Sequence, residues 1–328
     1  ASSTVAVTVN NAIANGIATN TLEVTVNDEY GNLVAGETVT FTQPTDVSPA
    51  STSCMTAANG KCTITVTSLV AETYTSTITV DGVAVSAPHN YTFIAGPAVA
   101  LASSVSVTND DAVADGVATN SLEALIKDAN DNPVSGVTVS FAEPLGTTLS
   151  AAFCITDTDG LCSITITSTT SGNYNSAVTI GGVALSNSPA NFTFVALDQT
   201  ITFTPPANKV FGDADFAISA TASSGLTVTD FGSTTPAVCT VAANMVTLVG
   251  AGTCTLTADQ SGNGTYNPAP QVSADVAVAL ADQTITFTPP ANKVFGDAPF
   301  AISATASSGL AVTDFGSTTP AVCTVATN

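Results

Sequence analysis

The stretch Ala14-Asn-Gly-Ile-Ala-Thr-Asn-Thr-Leu-Glu-Val-Thr-Val26 decides the fold of the first part of the chain. From Thr21 onward its polar and apolar residues alternate with the period of two that a half-buried β-strand requires. The stretch recurs at an offset of 100 residues as Ala114-Asp-Gly-Val-Ala-Thr-Asn-Ser-Leu-Glu-Ala124. Because Val and Thr suit a pleated, half-buried surface, the recurrence predicts two homologous β domains.

The same alternation continues outside this stretch. In the first repeat it is found in the runs Val5–Val9, Val39–Phe41, Cys62–Thr67 and Thr77–Val80. Turn-forming dipeptides separate the runs there and in the second repeat, namely Asn59-Gly60, Asp81-Gly82, Asp159-Gly160 and Gly181-Gly182. Helical spacing is not sustained anywhere in the sequence. Several short strands in every ~80–100 residues predict an all-β fold of antiparallel sandwiches.

Self-comparison divides the chain into four repeats. Residues 1–98 and 99–196 form one homologous pair, since their cysteines also recur at the offset of 100. A second type follows, in which residues 198–244 recur at 282–328 with three differences. We therefore predict domains at 1–98, 99–196 and 197–281, followed by the incomplete N-terminal part of a further copy at 282–328.

Composition excludes several classes of function. The chain has 328 residues, with 25 Asp and Glu, four Lys, no Arg and a formal net charge of −21. Nucleic acids and anionic membrane surfaces are excluded as partners, because four scattered lysines cannot form a basic surface. No apolar run reaches the ~18 residues of a membrane-spanning helix, so no membrane insertion is expected in this segment. A hydrolase triad has only His89 to build on, and no residue is predicted to be catalytic or to bind a cofactor.

Six segments carry a resemblance to known protein repeats: Ala14–Val26, Asp28–Phe41, Ala57–Val66, Lys127–Phe141, Pro236–Val241 and Val249–Thr257. Through the first four, the first two repeats resemble the bacterial immunoglobulin-like repeats of invasin- and intimin-type adhesins. Through the other two, the last two repeats resemble a second class of bacterial Ig-like repeat. The resemblance implies tandem Ig-like β-sandwiches that form an elongated rod, on the bacterial cell surface or secreted, without catalytic residues.

A mechanical role is the function expected of such a chain. We expect a structural stalk or filament-forming segment of an adhesin-like fibre, whose partners are adjacent Ig-like repeats or further copies of itself. The short connection Phe93–Ala98 contains no Gly/Ser-rich linker, which indicates limited bending between repeats. Two alternatives stay open: the subunit of a polymeric filament or pilus completed by strand exchange, and an adhesion module that binds a host or environmental glycan or protein.

The seven cysteines fall at matched positions of the repeats. The first two pairs flank Asn-Gly and Asp-Gly turns, so a hairpin would bring their side chains within reach of a disulfide. We predict the bridges Cys54–Cys62, Cys154–Cys162 and Cys239–Cys254. Buried free thiols are the alternative, and metal binding is disfavoured because no cysteines have the spacing of a zinc site.

Cys323 is left without a predicted partner. The offset of 84 residues places the counterpart of Cys254 at position 338, beyond the last residue of the sequence. We expect Cys323 to be unpaired by truncation, as half of a bridge in a longer array of near-identical repeats. The alternative is a half-domain completed by strands from another molecule.

Clustered carboxylates are the candidates for a metal site, and calcium is the ion they suit. The candidates are Asp110, Asp111, Asp115, Asp157 and Asp159. Asp110, Asp111 and Asp115 follow the first strand of the second repeat, where a bound ion would stiffen the joint with the first repeat. Solvated loops and ordinary turns are the favoured interpretation of all five. The stretch Asp128–Asn132 is likewise predicted to be a turn.

Overall fold

The computed structural model describes residues 3–49, 51–85 and 89–326. Regular structure in these ranges consists of β-strands and one 3-10 turn at Ala100–Ala102, so the all-β prediction is confirmed. Contacts divide the chain into two units. The first contains Ala1–Leu197 together with Asn263–Asn267, and the second contains Asp198–Gly262 and Pro268–Asn328.

Ten strands of the first repeat form two facing sheets. One sheet has the order β1-β3-β7-β5; the other has the order β2-β10-β8-β4-β6, with β9 paired to β8. Pairing is antiparallel except between β10 and β2. The strands are β1 Thr4–Val9, β2 Ala12–Ile13, β3 Asn20–Thr25, β4 Thr38–Thr42, β5 Val47–Ser48, β6 Ser51–Met55, β7 Lys61–Ser68, β8 Thr73–Val80, β9 Val83–Ala84 and β10 His89–Ile94.

The second repeat has the same plan. Its first sheet has the order β11-β13-β17-β15, and the facing strands form two groups, β12-β21-β18 and β16-β14-β19-β20. The position of β8 is taken by two shorter strands, β18 and β19. The strands are β11 Ser104–Asn109, β12 Ala112–Val113, β13 Asn120–Leu125, β14 Thr138–Phe141, β15 Thr147–Leu149, β16 Phe153–Ile155, β17 Leu161–Ser168, β18 Gly172–Ser176, β19 Val178–Ile180, β20 Val183–Ala184 and β21 Ala190–Val195.

Alternation in the sequence explains why each repeat buries a core. Along β3 every second residue is buried, and Leu22 and Val24 are fully enclosed. Their counterparts Leu122 and Ala124 are enclosed in the second repeat. Each repeat has its own cluster of buried apolar side chains between its two sheets. Because burial of apolar surface dominates folding free energy, each repeat carries the core that its strands need.

Two kinds of turn follow from the predicted dipeptides. Asp81 and Gly82 both have positive φ, 48° and 80°, and join β8 to β9 as a two-residue hairpin turn of the primed type. The other kind leads from one sheet to the other. Gly160 has φ 72°, and a Cβ added there would lie 2.6 Å from the carbonyl oxygen of Ile126, so glycine is required at this turn.

A buried polar cluster distinguishes the first repeat from the second. The hydroxyl of Tyr91, which is fully enclosed, donates to Gln43 Oε1 at 2.7 Å. Ser76 Oγ donates to the same oxygen and lies 3.1 Å from the Tyr91 hydroxyl oxygen. The second repeat has Phe192 where the first has Tyr91, and its core lacks this hydroxyl.

The second unit contains the strands of the third and fourth repeats. Four sheets are formed, with the orders β22-β25, β23-β30-β29-β26, β24-β28-β27 and β31-β32. The strands are β22 Ile201–Phe203, β23 Lys209–Val210, β24 Phe216–Ala217, β25 Ala220–Ala222, β26 Asp230–Ser233, β27 Cys239–Ala242, β28 Met245–Leu248, β29 Gly252–Asp259, β30 Val272–Ala279, β31 Ile285–Phe287 and β32 Ala304–Ala306.

The two copies of the second repeat type differ in burial. Cys239, Val246, Leu256 and Val276 are fully enclosed in the third repeat. In the fourth, β31 and β32 are the strands formed among residues 282–326, and Phe295 is fully exposed. This segment has no counterpart of β28 to β30, which supply much of the third repeat's core. Residues 327–328 of the predicted fourth copy lie outside the described part of the chain.

Candidate functional site

The loop that follows β13 is held by hydrogen bonds to one of its own carboxylates. A backbone bridge between Lys127 and Pro133 closes it. Within it the carboxylate of Asp128 accepts hydrogen bonds from the backbone N–H groups of Asn130 at 2.8 Å and Asn132 at 2.9 Å. The loop is therefore the turn that the sequence predicts, fixed by an aspartate that bonds to its own backbone.

The same loop binds the first repeat. The Asp128 carboxylate accepts the backbone N–H of Gly96 at 2.8 Å. The side-chain amide of Asn132 donates to the carbonyl of Leu69 at 2.9 Å and accepts the backbone N–H of Ala71 at 2.8 Å. We call these contacts the repeat joint; the side-chain amide of Asn130 adds a bond to the first repeat, at the carbonyl of Ala14.

The repeat joint is buried and charged. Asp128 is 1% exposed and Asn132 is 5% exposed. Burial works against ionisation of Asp128, but the hydrogen bonds from the Asn132 side chain and from the backbone of Gly96, Asn130 and Asn132 outweigh it, so the pKa of this carboxyl lies below its usual value. An ionised acceptor makes stronger hydrogen bonds than a neutral one, which favours a well-defined joint.

The connection between the repeats is fixed to the same loop. Ser103 donates from its hydroxyl to the carbonyl of Val99 at 2.8 Å and accepts the backbone N–H of Lys127 at 3.0 Å. The backbone N–H of Val99 also donates to the carbonyl of Lys127 at 2.8 Å. Ser103 is fully buried. The chain from Gly96 to Ser103 is thus bonded at three residues, Gly96, Val99 and Ser103, to the loop that contains Asp128.

The backbone groups of the first repeat that take part in the joint form its C-terminal edge. The second repeat has an equivalent edge at its own C-terminal end, within the first unit. Its counterparts of Leu69, Ala71 and Gly96 are Thr169, Ser171 and Leu197. These groups are bonded to the segment Asn263–Asn267. Thr265 donates from its hydroxyl to the carbonyl of Thr169 at 2.9 Å, Ser171 N–H donates to the carbonyl of Gly264 at 2.7 Å, and Leu197 N–H donates to the carbonyl of Thr265 at 2.7 Å. One acceptor and two donors of the backbone therefore recur, and both edges are occupied.

Asp128 and Asn132 were missed as a joint by sequence reasoning. The available signal is that Asp28 and Asn32 occupy the same positions of the first repeat. A turn needs Asp at its start, but it does not need Asn four residues later in both copies. The recurrence of both residues is a sign that the loop has a second task.

Three of the five calcium candidates, Asp110, Asp115 and Asp157, accept backbone hydrogen bonds through their carboxylates. Asp110 Oδ1 accepts the N–H of Thr193 at 2.7 Å, as Asn10 does with Thr92 in the first repeat. Asp115 Oδ1 accepts two backbone N–H groups of its own loop, and these bonds lower the pKa of Asp115. Because the uncharged Asn10 fills the same role as Asp110, no cation is required for it.

Asp111 lies between β11 and β12, and Asp157 and Asp159 lie at the turn before β17. Asp157 Oδ1 accepts the backbone N–H groups of Asp159 at 2.9 Å and Leu161 at 3.0 Å. Across the described residues, no group of three or more His, Cys, Asp or Glu side chains is arranged to hold a metal ion. The expectation that the loop of Asp110, Asp111 and Asp115 meets the first repeat is wrong, since the repeat joint is formed by the loop after β13. That these carboxylates form turns and solvated loops rather than a calcium site stays a prediction.

Three disulfides are present among the described residues, and each joins strands of two different sheets within one repeat. Cys54 on β6 pairs in its sheet with Val39, whereas Cys62 on β7 pairs in the other sheet with Val24. Their Cα atoms are 5.9 Å apart. The expected hairpin is therefore wrong: the Asn59-Gly60 turn carries the chain across the sandwich. Equivalent bridges join Cys154 to Cys162 and Cys239 to Cys254.

Cys323 is a free, exposed cysteine in the structure. Its hydroxyl neighbour Ser317 lies 3.4 Å from its Sγ atom, as Ser233 lies 3.2 Å from Cys239 in the preceding copy. The surroundings of the two cysteines are thus alike on this side. The assignment of Cys323 to a bridge in a longer array stays a prediction.

An open groove of about 610 Å³ lies in the second unit. Ile218, Leu226, Val228 and Phe231 contribute its larger apolar side chains. It has one aromatic ring and no charged side chain among its lining residues. Such a groove offers shape and apolar contact rather than the converging polar groups that a specific small-molecule site uses.

Membrane-spanning helices are not found: no helix in the described ranges has the length and apolar character to cross a bilayer.

Comparison with known proteins gives a relative that matches part of the chain. The inverse autotransporter adhesin YeeJ of Escherichia coli strain K12 is 36% identical over 172 residues, which is 51% of this chain and 7% of YeeJ. The chain thus spans less than a tenth of the length of this curated relative.

Solved structures show the same fold. An adhesin of Escherichia coli, FdeC, superposes with a TM-score of 0.52 at 18% identity, covering 85% of this chain and 97% of that one. InvD of Yersinia pseudotuberculosis superposes with a TM-score of 0.50 at 18% identity, covering 84% of this chain and 82% of that one. At this identity the likeness establishes the fold alone.

A family model accounts for the first two repeats. The model, described as a bacterial Ig-like domain (group 1), matches residues 2–94 and 102–195. Ig-like domains of this group and the adhesins similar to the chain are non-enzymatic, as the sequence predicts for this protein. The resemblance of the last two repeats to a second Ig-like class stays a prediction. Because the matched residues make up more than half of the sequence, the chain belongs to the family of bacterial Ig-like domains (group 1).

Proposed function

We propose that the chain is a spacer segment of a bacterial surface adhesin, located outside the cell, in which tandem Ig-like repeats hold a fixed relation to one another. The observation that carries the proposal is the repeat joint. Asp128 and Asn132 are almost completely buried and bond to three backbone groups of the preceding repeat. A flexible connection would leave such polar groups in water.

The kinship with an adhesin supports this role. YeeJ is an inverse autotransporter adhesin, and the match covers 51% of this chain and 7% of the length of YeeJ. The composition is suited to an exposed spacer as well. A net charge of −21 keeps neighbouring molecules apart in solution, and few Lys and no Arg leave few sites for trypsin-like proteases.

The rigidity of the repeat joint is the first property to measure. Residual dipolar couplings of the full chain report the orientation of each repeat independently. We expect residues 3–85 and residues 104–195 to share one alignment tensor, and we expect Asn132→Ala to separate the two tensors. Different tensors in the unmodified chain would overturn the spacer role, because a loose joint does not hold its neighbours in a fixed relation.

Whether the chain binds a ligand is the second property to measure. The full chain, applied at micromolar concentration to arrays of glycans and of host surface proteins, is expected to give no specific signal. A saturable signal would instead identify an adhesion module. The groove of about 610 Å³ in the second unit is the feature that favours this alternative, and Leu226→Lys would then abolish binding.

A filament subunit is the other alternative. In the fourth repeat the apolar side chains of Ile285 and Phe287 on β31 are 62% and 47% exposed. Strands from another molecule would cover them if the half-domain were completed by strand exchange. Electron microscopy of the full chain separates the two roles: single particles support the spacer, and regular filaments would establish the subunit.

A further inference from the structure

The first repeat carries a second copy of the loop that forms the repeat joint. The Asp28 carboxylate accepts the backbone N–H groups of Tyr30 at 2.9 Å and Asn32 at 2.8 Å. The Asn32 amide donates to the same carboxylate at 2.9 Å. These are the bonds that fix Asp128 and Asn132 in the second repeat, so the loop has the same conformation without a repeat bound to it.

Exposure is what separates the two loops. Asn132 is 5% exposed, whereas Asn32 is exposed and Tyr30 is 82% exposed. Asp28 is half-buried, whereas Asp128 is 1% exposed. The first repeat therefore presents to solvent the carboxylate and amide that the second repeat uses to bind a neighbour.

Ser3 supplies an independent observation. Its counterpart Ser103 donates from its hydroxyl to the carbonyl of Val99 in the connection from the preceding repeat. The Oγ atom of Ser3 is buried, and it has no hydrogen-bond partner among the residues that the structure describes. A buried hydroxyl without a partner costs free energy. A connection laid along the first repeat, as Val99 lies along the second, would provide the missing acceptor.

We propose that the Asp28–Asn32 loop, together with Ser3, is a docking surface for the C-terminal edge of another Ig-like repeat of this type, joined in front of the first repeat. The matching edge is defined by one backbone acceptor and two backbone donors. In the first repeat these are the carbonyl of Leu69 and the N–H groups of Ala71 and Gly96. The proposal rests on the spacer function only in supposing that such repeats occur in tandem.

A second copy of this chain does not fit as the occupant. The edge of the first repeat is covered by the Asp128–Asn132 loop of the second repeat. The corresponding edge of the second repeat is bonded to Asn263–Asn267. Neither edge is available to another molecule, so the surface at Asp28 requires a further repeat rather than a further chain.

The test is an extended chain that carries a copy of residues 1–100 directly before residue 1. The offset of 100 residues between the two repeats makes this spacing equal to that of the natural joint. The added copy is isotope-labelled by segmental ligation, and amide hydrogen exchange is followed at its own Ala71 and Gly96. We expect both amides to be protected to within about tenfold of their counterparts in the natural joint.

Two substitutions in the extended chain identify the surface. Asn32→Ala is expected to reduce protection of the added Ala71 and Gly96 amides by about tenfold or more, while core amides such as that of Val24 stay protected. Asn132→Ala is the matched control and should have the same effect at the natural joint. Tyr30→Asn should increase protection, because Asn130 at this position donates to the carbonyl of Ala14 at 3.1 Å, and a gain cannot result from misfolding.

Three outcomes would overturn the proposal. One is rapid exchange of the added Ala71 and Gly96 amides in the unsubstituted extended chain. Another is protection that Asn32→Ala leaves unchanged while Asn132→Ala reduces it at the natural joint. The third is dimerisation of the original chain in sedimentation experiments that Asn32→Ala abolishes, which would identify a second copy as the occupant. The natural joint is measured in the same extended chain, so a failure confined to the added repeat is distinguishable from a failure of the spacer function.

Discussion

The side-chain amide of Asn132 accepts the backbone N–H of Ala71 at 2.8 Å across a separation of 61 residues. The same amide donates to the carbonyl of Leu69 at 2.9 Å. One planar group thus pairs with the backbone of another repeat as a neighbouring strand would. We expect Asn132→Ala to weaken the repeat joint by about 1–3 kcal/mol, the cost of leaving buried polar groups unpaired. Hydrogen exchange at the Ala71 amide measures the loss, and Asn32→Ala in the unextended chain is the control that leaves this amide unchanged.

Acid should loosen the repeat joint. The pKa of Asp128 is lower in the folded protein than the value of about 3.9 expected in the unfolded chain. Its contribution to stability is therefore complete above the unfolded pKa and is lost as the pH falls through the folded pKa. The amide shift of Gly96, followed by NMR from pH 6 to pH 2, should report this titration. In Asp128→Asn the transition should disappear, and its persistence would contradict the assignment.

The three disulfides give a prediction about thiols. Denatured protein that has not been reduced should react with a thiol reagent at one cysteine, Cys323. Six or seven reactive thiols would show that the bridges do not form. Replacing Cys162 with Ser should lower the free energy of unfolding by about 2–3 kcal/mol, given the short loop that the bridge closes. Cys323→Ser serves as the control and should leave stability unchanged.

Tyr91→Phe tests the buried polar cluster of the first repeat. The substitution removes the hydroxyl that donates to Gln43 at 2.7 Å and should destabilise the first repeat by about 1 kcal/mol. Phe192 at this position of the second repeat shows that the ring alone fits the fold. Chemical denaturation followed by NMR separates the repeats. Gln43→Leu should cost more than Tyr91→Phe, because it removes the acceptor that the buried hydroxyls of Ser76 and Tyr91 share.

Calcium should not stabilise the chain at the carboxylates of the second repeat. Asp110 and Asp115 accept backbone N–H groups as Asn10 and Asn15 do in the first repeat. The melting temperature of the full chain should therefore be the same in calcium and in EDTA. A rise with calcium that Asp110→Asn removes would establish a site there.

Local patterns made the fold predictable. Alternation along β3 and β13 and the turn at Asp81-Gly82 involve residues a few positions apart, so their physical consequences can be inferred directly from the sequence. Repetition at an offset of 100 then extended one prediction to two repeats. The all-β architecture follows from these features, whereas the family was indicated by the resemblance of segments such as Ala14–Val26 to known repeats.

Contacts between residues that are far apart in the sequence were harder to predict. A turn such as Asn59-Gly60 serves equally for a hairpin and for a crossing between sheets, and the sequence does not distinguish them. The disulfide pairs were therefore expected at the right residues with the wrong geometry. Asp128 and Asn132 were expected to form only a turn. Their partners Gly96, Ala71 and Leu69 contribute backbone groups, which almost every residue type has and which the sequence therefore does not single out.

That last property has an evolutionary consequence. The C-terminal edge of each of the first two repeats offers main-chain groups, and it is bonded to a carboxylate and an amide in one case and to Gly264 and Thr265 in the other. Side-chain mutation on the edge leaves those groups in place, with proline at Ala71 or Ser171 as an exception because it removes the N–H. Repeats of this kind can therefore be added, lost or exchanged by recombination, since a new neighbouring repeat still meets the same backbone donors and acceptors on the edge.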